Sequence, residues 1–305
     1  MATLTATSSY AGDALKKYIL ACILGGETLG TSGINVQSNI KYKRYIKKLA
    51  VGDIVQCGGC EFSPTSGVTI TEAVLEPCEM RINEEICFED LYELWDAEDM
   101  AAGIHKQQIP QSLMDGLVEG YTKEAAKQIE QSIWNNVKDA TGTTYCACFN
   151  GFGKLLLTGG AVTGATSAVT STNIVTLLNN LYGLLPDCVR AKPKGDLVIF
   201  LSHKALAMYE MNLATQGIRT SIEAGVPTLY GVELRAVSGL PEDVMVMGER
   251  ANFYVGTDLE SDFNEIKTID MRQTTGDDSI RFIMKFKLDV AVAYPAEVAV
   301  LISVV

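Results

Sequence analysis

Histidine is nearly absent, with only His105 and His203 in 305 residues. That removes most histidine-based catalysis, and no nucleophile-elbow signature surrounds either residue. Long apolar runs are also missing, with none near the ~18 residues of a membrane span. The stretch KKYILACIL (16–24) imitates a lipoprotein leader, but its apolar core falls short of the about 7–15 residues required. The chain is therefore expected to stay in the cytoplasm, or in something assembled there. Positive charge is in deficit, with 25 Lys and Arg against 37 Asp and Glu, for a formal net charge of −12. Long-range attraction to nucleic acid or anionic lipid is thereby excluded, leaving only local contacts. Eight cysteines (22, 57, 60, 78, 87, 146, 148 and 188) form no dense framework. They are expected to be free thiols of a reducing compartment.

What is present is enough apolar material (47%) for one large domain or two modest ones. Residues 1–40 are small and polar, and read as an arm with one short helix (13–24). KYKRYIKK (41–48) places five basic residues in eight. Candidate strands at 49–57 and 68–75 flank GGCEFSPTSG, which makes a hairpin with a long tip. From Glu72 to Asp99 eleven acidic residues face one arginine, Arg81. Two opposite runs so close are explained either as separate solvated faces or as complementary faces that meet, within or between chains.

Residues 109–138 form the most informative helix. Ile109, Leu113, Leu117, Tyr121, Ala125, Ile129, Ile133 and Val137 recur every four residues, so the stripe drifts by about 40° per step around a rod roughly 40 Å long. Further on, 172–186 reads as a helix ended by Pro186, and DLVIFL (196–201) as a buried strand. Ser202 caps a helix running to about Thr215. Strands follow at 229–237, 244–247, 263–272, 280–289 and 297–304.

Motifs with chemical meaning are weak. TGGAVTGATSAVTS (158–171), behind a candidate strand at 154–157, has the glycine spacing of a phosphate loop. Ala165 stands where that loop needs lysine, so a flexible connector is expected. Cys57-Gly-Gly-Cys60 suits a zinc knuckle or redox pair, but no second pair has the spacing to complete it. The tyrosines in KYKRYIKK leave open a local single-stranded nucleic-acid contact. No catalytic, cofactor-binding or metal-ligating set emerges, and no enzyme is indicated.

The arrangement of parts is more telling than any motif. The run YGVELRAVSGLPEDVMVMGERANFYVGTDLESDFNEIKTIDMRQTTGDDSIRFIMKFKLDVAVAYPAEVAVL (230–301) has a strand leading into SGLP, then NFYVGTDL, then a GDD hairpin feeding a long strand. With ITEAVLEPCEMRINEEICFEDLYELW and IEQSIWN upstream, this resembles the major capsid proteins of tailed bacteriophages, the Hong Kong 97-type fold. The resemblance covers about residues 40–301. It implies an α+β chain with an N-terminal arm (1–42) and an extended hairpin loop (43–75). It further implies a peripheral domain (76–149 and 251–295) with a spine helix at 109–138, and an axial domain (150–250 and 296–305). The implied function is an icosahedral shell of pentamers and hexamers around double-stranded DNA, assembled in the host bacterial cytoplasm. Implied partners are other copies of the chain, a portal, a separate scaffolding protein and decoration proteins, with packaged DNA held by weak non-specific contacts and no membrane. Lys43, Arg44, Lys47, Lys48, Glu84, Glu85, Glu89 and Asp90 are the assembly-interface candidates. An encapsulin-like compartment shell shares this fold, and a zinc module at Cys57 and Cys60 is the alternative of another class.

Overall fold

The computed structural model describes residues 7–10, 27–28, 33–51, 57, 68–87, 111–138, 148–216, 227–258, 265–271 and 275–303. In chain order the strands are β1 (Thr7–Tyr10), β2 (Asn35–Gln37), β3 (Arg44–Val51), β4 (Val68–Leu75), β5 (Cys78–Cys87), β6 (Val162–Thr166), β7 (Leu197–Leu201), β8 (Thr228–Leu229), β9 (Val232–Ala236), β10 (Met245–Glu249), β11 (Phe253–Thr257), β12 (Glu265–Asp270), β13 (Ser279–Val292) and β14 (Ala299–Ser303). The helices are α1 (Gln111–Asn135), α2 (Phe152–Gly159), α3 (Ile174–Leu184), α4 (Asp187–Arg190) and α5 (His203–Thr215). The expected mixed α+β class is what is found.

Two six-stranded sheets make the body. The first runs β1-β12-β13-β11-β2, with β5 on the other edge of β13. β13 organises it because its side chains alternate. Phe282, Met284, Phe286, Leu288 and Val290 are buried in one core, while Ile283, Lys285 and Lys287 between them are only half-buried. That period of two is what a pleated strand requires. The second sheet runs β6-β14-β10-β7-β9-β8. Its strand LVIFL is buried at every position. Val198 and Phe200 enter the same core as β13, while Leu197, Ile199 and Leu201 enter a second core with α3 and α5. A strand covered on both faces reads as an unbroken apolar run.

Helix α1 lies where the four-residue stripe predicts it, and at 1.5 Å per residue it spans about 37 Å. Val118, Ala125, Ile129, Ile133 and Trp134 are buried, whereas Val137, beyond the last turn, is exposed. Trp134 meets Phe152 (centroids 5.3 Å apart) and Phe200 (5.0 Å), and Phe253 lies 5.3 Å from Phe152 and 5.6 Å from Phe200. These four rings from α1, α2, β7 and β11 bring helices and both sheets into one core. Edge-on and tilted pairs add about 0.5–1.5 kcal/mol each beyond the area they bury.

Thr28 is fastened to this junction. Trp134 Nε1 donates to Thr28 Oγ1 at 2.7 Å, and Thr28 in turn donates its hydroxyl and, at 3.2 Å, its backbone N–H to the buried Glu130 carboxylate. Burial pushes the Glu130 carboxyl above its usual range, against the pull of those hydrogen bonds. The SGLP turn closes on the same helix: a Cβ on Gly239 would lie 2.3 Å from Glu130 O and 2.6 Å from Trp134 Cδ1. Gly239→Ala is expected to destabilise the chain by about 1–3 kcal/mol through overpacking, checked by urea unfolding, with an unchanged midpoint contradicting the close approach.

Three readings need correction. Residues 154–157 are not a strand but part of α2, because Phe152 and Leu156, four apart, both turn into the core. The glycine-rich stretch is not a free connector, since Val162–Thr166 is β6, parallel to β14. Its small residues fit under α3, and a Cβ on Gly164 would meet Leu184 and Leu301 side chains at 2.6 and 2.8 Å. Finally, Cys78 and Cys148 are joined in a disulfide, although all eight cysteines are expected free. A partner 70 residues away is invisible to spacing rules, because it is the return of the chain after α1 that brings the two together.

Candidate assembly interface

The β3–β4 hairpin pairs with neither six-stranded sheet. KYKRYIKK, expected to precede the first strand, supplies much of it. Its register sets Tyr45 opposite Val74, Lys47 opposite Glu72 and Leu49 opposite Ile70. Cross-strand partners share a face, so these pairs form one surface. Tyr45 (55% exposed), Leu49 (58%), Ile70 (65%) and Val74 (43%) are all open to solvent. Isolated exposed apolar residues are ordinary, but four on one face of a two-stranded ribbon, on either side of the Lys47–Glu72 rung, mark an interaction surface.

The opposite face leans on the body. Leu75 is fully buried with Ile40 and Ala291, and Ile46 and Tyr254 pack against that group. Leu49 N–H donates to Tyr294 Oη at 3.3 Å, and Lys48 Nζ lies 5.9 Å from the centroid of the Tyr294 ring. Partial burial holds the Lys48 ammonium below its usual pKa. At the hairpin base, Glu76 N–H donates to Asp289 Oδ2 at 2.6 Å, and Lys43 Nζ pairs with Glu76 at 3.1 Å. The Glu76 carboxylate draws the Lys43 pKa upward.

The eight charged candidates are thus divided. Lys43 and Lys47 face acidic residues of their own hairpin, Arg44 is exposed opposite Leu75, and Lys48 turns to Tyr294. Glu84 and Glu85 are on β5; Glu85 accepts from Ser279 Oγ at 2.6 Å and pairs with Arg281 at 3.3 Å, and both lower its pKa. Glu84 is exposed, and Glu89 and Asp90 lie outside the described residues. Within one chain the residues set beside the basic run are Glu72 and Glu76, while Glu84 and Glu85 lie on β5. The apolar ladder was missed, although the alternation Tyr45, Leu49 and Ile70, Val74 carries the signal.

Burial pushes the Asp289 carboxyl up to about 6 from an ordinary 3.8. The folded state then holds the proton more tightly than the unfolded state, so stability rises as pH falls from 7 through 6 and levels off near 4. The contribution is on the order of 3 kcal/mol. Asp289→Asn is expected to flatten most of that slope in urea midpoints taken between pH 4 and 8; an unchanged slope contradicts the assignment.

The described histidine, His203, does not form a nucleophile relay. His203 is the first residue of α5, behind the cap Ser202, whose Oγ accepts from Ala205 N–H at 3.2 Å. His203 Nε2 lies 2.8 Å from Glu27 and 3.2 Å from Ser238 Oγ. Both partners share one ring nitrogen, whereas a nucleophile relay places hydroxyl and carboxylate on opposite nitrogens. Among the described residues no three His, Cys, Asp or Glu gather as a metal site. Cys57 is exposed, and Cys60 lies outside the described residues. No helix among the described residues is long and apolar enough to cross a membrane.

The sequence matches no family model and no curated protein. Solved structures do match. A chain of the satellite phage P4 procapsid shares 14% identity over 95% of this chain and 99% of its own, with a TM-score of 0.59. Mycobacterium phage Cain gives 13% identity over 92% and 91%, with a TM-score of 0.56. A virus-like particle from Pyrococcus furiosus gives 12% over 94% and 97%, with a TM-score of 0.55. At such identities the likeness is one of fold, and it extends over nearly the whole of each chain. This polypeptide has the fold of tailed-phage capsid proteins.

Proposed function

We propose that the chain is the major capsid subunit of a tailed bacteriophage, assembling into pentamers and hexamers of an icosahedral shell around double-stranded DNA. The observation that carries this is the hairpin's apolar outer face, left open on a chain whose fold matches shell proteins over nearly its whole length. A hydrophobic ladder gains free energy only when covered, and a neighbouring copy provides the cover repeatedly around a closed shell. In this reading 1–42 is the arm, 43–75 the loop over the neighbour, 76–149 with 251–295 the peripheral domain, and 150–250 with 296–305 the axial domain. A portal, a separate scaffolding protein and decoration proteins complete the particle, which forms in the host cytoplasm. The acidic chain holds packaged DNA only weakly and has no enzymatic role.

Sedimentation velocity tests this reading. Capsomers or shells are expected, and a strict monomer at high concentration contradicts it. Reversing Lys43, Arg44, Lys47 and Lys48 together to glutamate is expected to impair assembly without unfolding the subunit, as read by circular dichroism beside sedimentation. Normal shells from that variant would dismiss a role for these charges in setting register. The likeness to the Pyrococcus furiosus particle favours a second reading, an encapsulin-like compartment shell. Nuclease-protected DNA in purified particles supports the phage reading, and a co-purifying enzyme cargo the compartment.

A further inference from the structure

The Cys78–Cys148 bond lies where the hairpin meets the body. Cys78 is the first residue of β5, three residues beyond Leu75, where β4 ends. Between them, Glu76 is held by Asp289 and Lys43, and Pro77 has no N–H to add to either ladder. Cys148 belongs to the return from α1 to α2, an element with no strand pairing to the hairpin. The bond therefore joins the hairpin's hinge to the part of the body that α1 carries, across a sequence separation of 70. Both cysteines are only half-buried. They line an open cleft of about 360 Å³ together with Val74, Glu76, Lys138 and Asp289. A small thiol or disulfide has access to the sulfurs through that cleft, and access is a requirement for thiol–disulfide exchange.

We propose that Cys78 and Cys148 are a reversible redox clamp on the hinge of the β3–β4 hairpin, open as two thiols in a reducing compartment and closed by exchange with a low-molecular-weight disulfide such as oxidised glutathione. On closing, one cysteine thiolate attacks the small disulfide, forms a mixed disulfide and expels one small thiolate. The second cysteine thiolate then attacks the protein sulfur of that mixed disulfide and expels the other. Two protein thiols are oxidised, one small disulfide is reduced to two thiols, and those thiols carry away both protons. Closure fixes the direction in which the hairpin leaves the body. The clamp itself does not depend on the shell reading. If the hairpin does cover a neighbour, the clamp locks that cover after a particle has left the cell.

The full chain, equilibrated in glutathione buffers from fully reduced to fully oxidised, provides the test. Alkylation followed by mass spectrometry reads the thiols, and amide hydrogen exchange reads the hinge. The Cys78–Cys148 bond is expected to form and break reversibly. On closing, exchange at Val74 to Met80 should slow by about tenfold or more, as local opening is suppressed. Cys148→Ser should exchange at the open rate in every buffer. Cys87→Ser, at the far end of β5, should behave as the unaltered chain. Thiols that persist in the most oxidising buffer, a bond that resists the most reducing one, or hinge exchange indifferent to buffer would each overturn the proposal. These readouts are made on the subunit, so their failure leaves the shell reading standing, and a failure to assemble leaves the clamp standing.

Discussion

Replacing Leu49 with lysine and Ile70 with glutamate in one chain is expected to abolish assembly and leave the subunit folded. The two residues face each other across the hairpin at 58% and 65% exposure, so in the free subunit neither supports the core. Substitutions at such positions usually change stability by less than about 0.5 kcal/mol. The introduced charges are opposite in sign, which preserves cross-strand pairing. In an assembled shell the same two side chains would be covered. Each buried aliphatic side chain is worth about 1.5–3 kcal/mol, so every subunit contact loses roughly 3–6 kcal/mol, on the order of a hundredfold or more in affinity. Sedimentation and thermal melting together decide the matter. Unimpaired shells would show that this face is not the contact, and a collapsed melting curve would show that the face supports the subunit itself.

The second large effect is on folding. Trp134→Ala should destabilise the chain by about 3–5 kcal/mol, because Trp134 is fully buried between Phe152 and Phe200 and also donates to Thr28. Trp134→Phe keeps a ring in place and should lose only about 1 kcal/mol, mainly the hydrogen bond to Thr28. Urea midpoints separate the two. A Trp134→Ala chain within about 1 kcal/mol of the unaltered protein would mean that the aromatic junction does not join the sheets as described.

Much of this architecture was legible in local pattern. The four-residue stripe found α1, the unbroken LVIFL found β7, and Ser202 marked the start of α5 to the residue, because each is set by neighbours along the chain. The strands β6 and β11 were missed for a different reason. Val162–Thr166 is built of small residues that exist to fit beneath α3, so it reads as a loop until Leu184 and Leu301 are placed beside Gly164. Phe253–Thr257 follows a 3₁₀ turn at Arg250–Asn252, and its apolar residues look like a continuation of that turn. The disulfide likewise depends on a chain return that no spacing encodes.

For the candidate surface, the hairpin was readable but its polarity was not. The charges of KYKRYIKK drew attention to electrostatics, whereas Lys43 is already paired with Glu76 and the register sets Lys47 opposite Glu72. Exposed ion pairs of this kind contribute about 0–1 kcal/mol. The apolar pairs between them carry more free energy. The energetic weight of the surface therefore falls on Tyr45, Leu49, Ile70 and Val74, and charge is left with the lesser task of alignment.

Everything rests on a hydrophobic ribbon finding its cover in another copy of the same chain. Negative-stain microscopy of the purified, full-length protein looks for that directly. Closed, uniform hollow particles are the expected image, and a field of dispersed single subunits at every concentration would contradict the account.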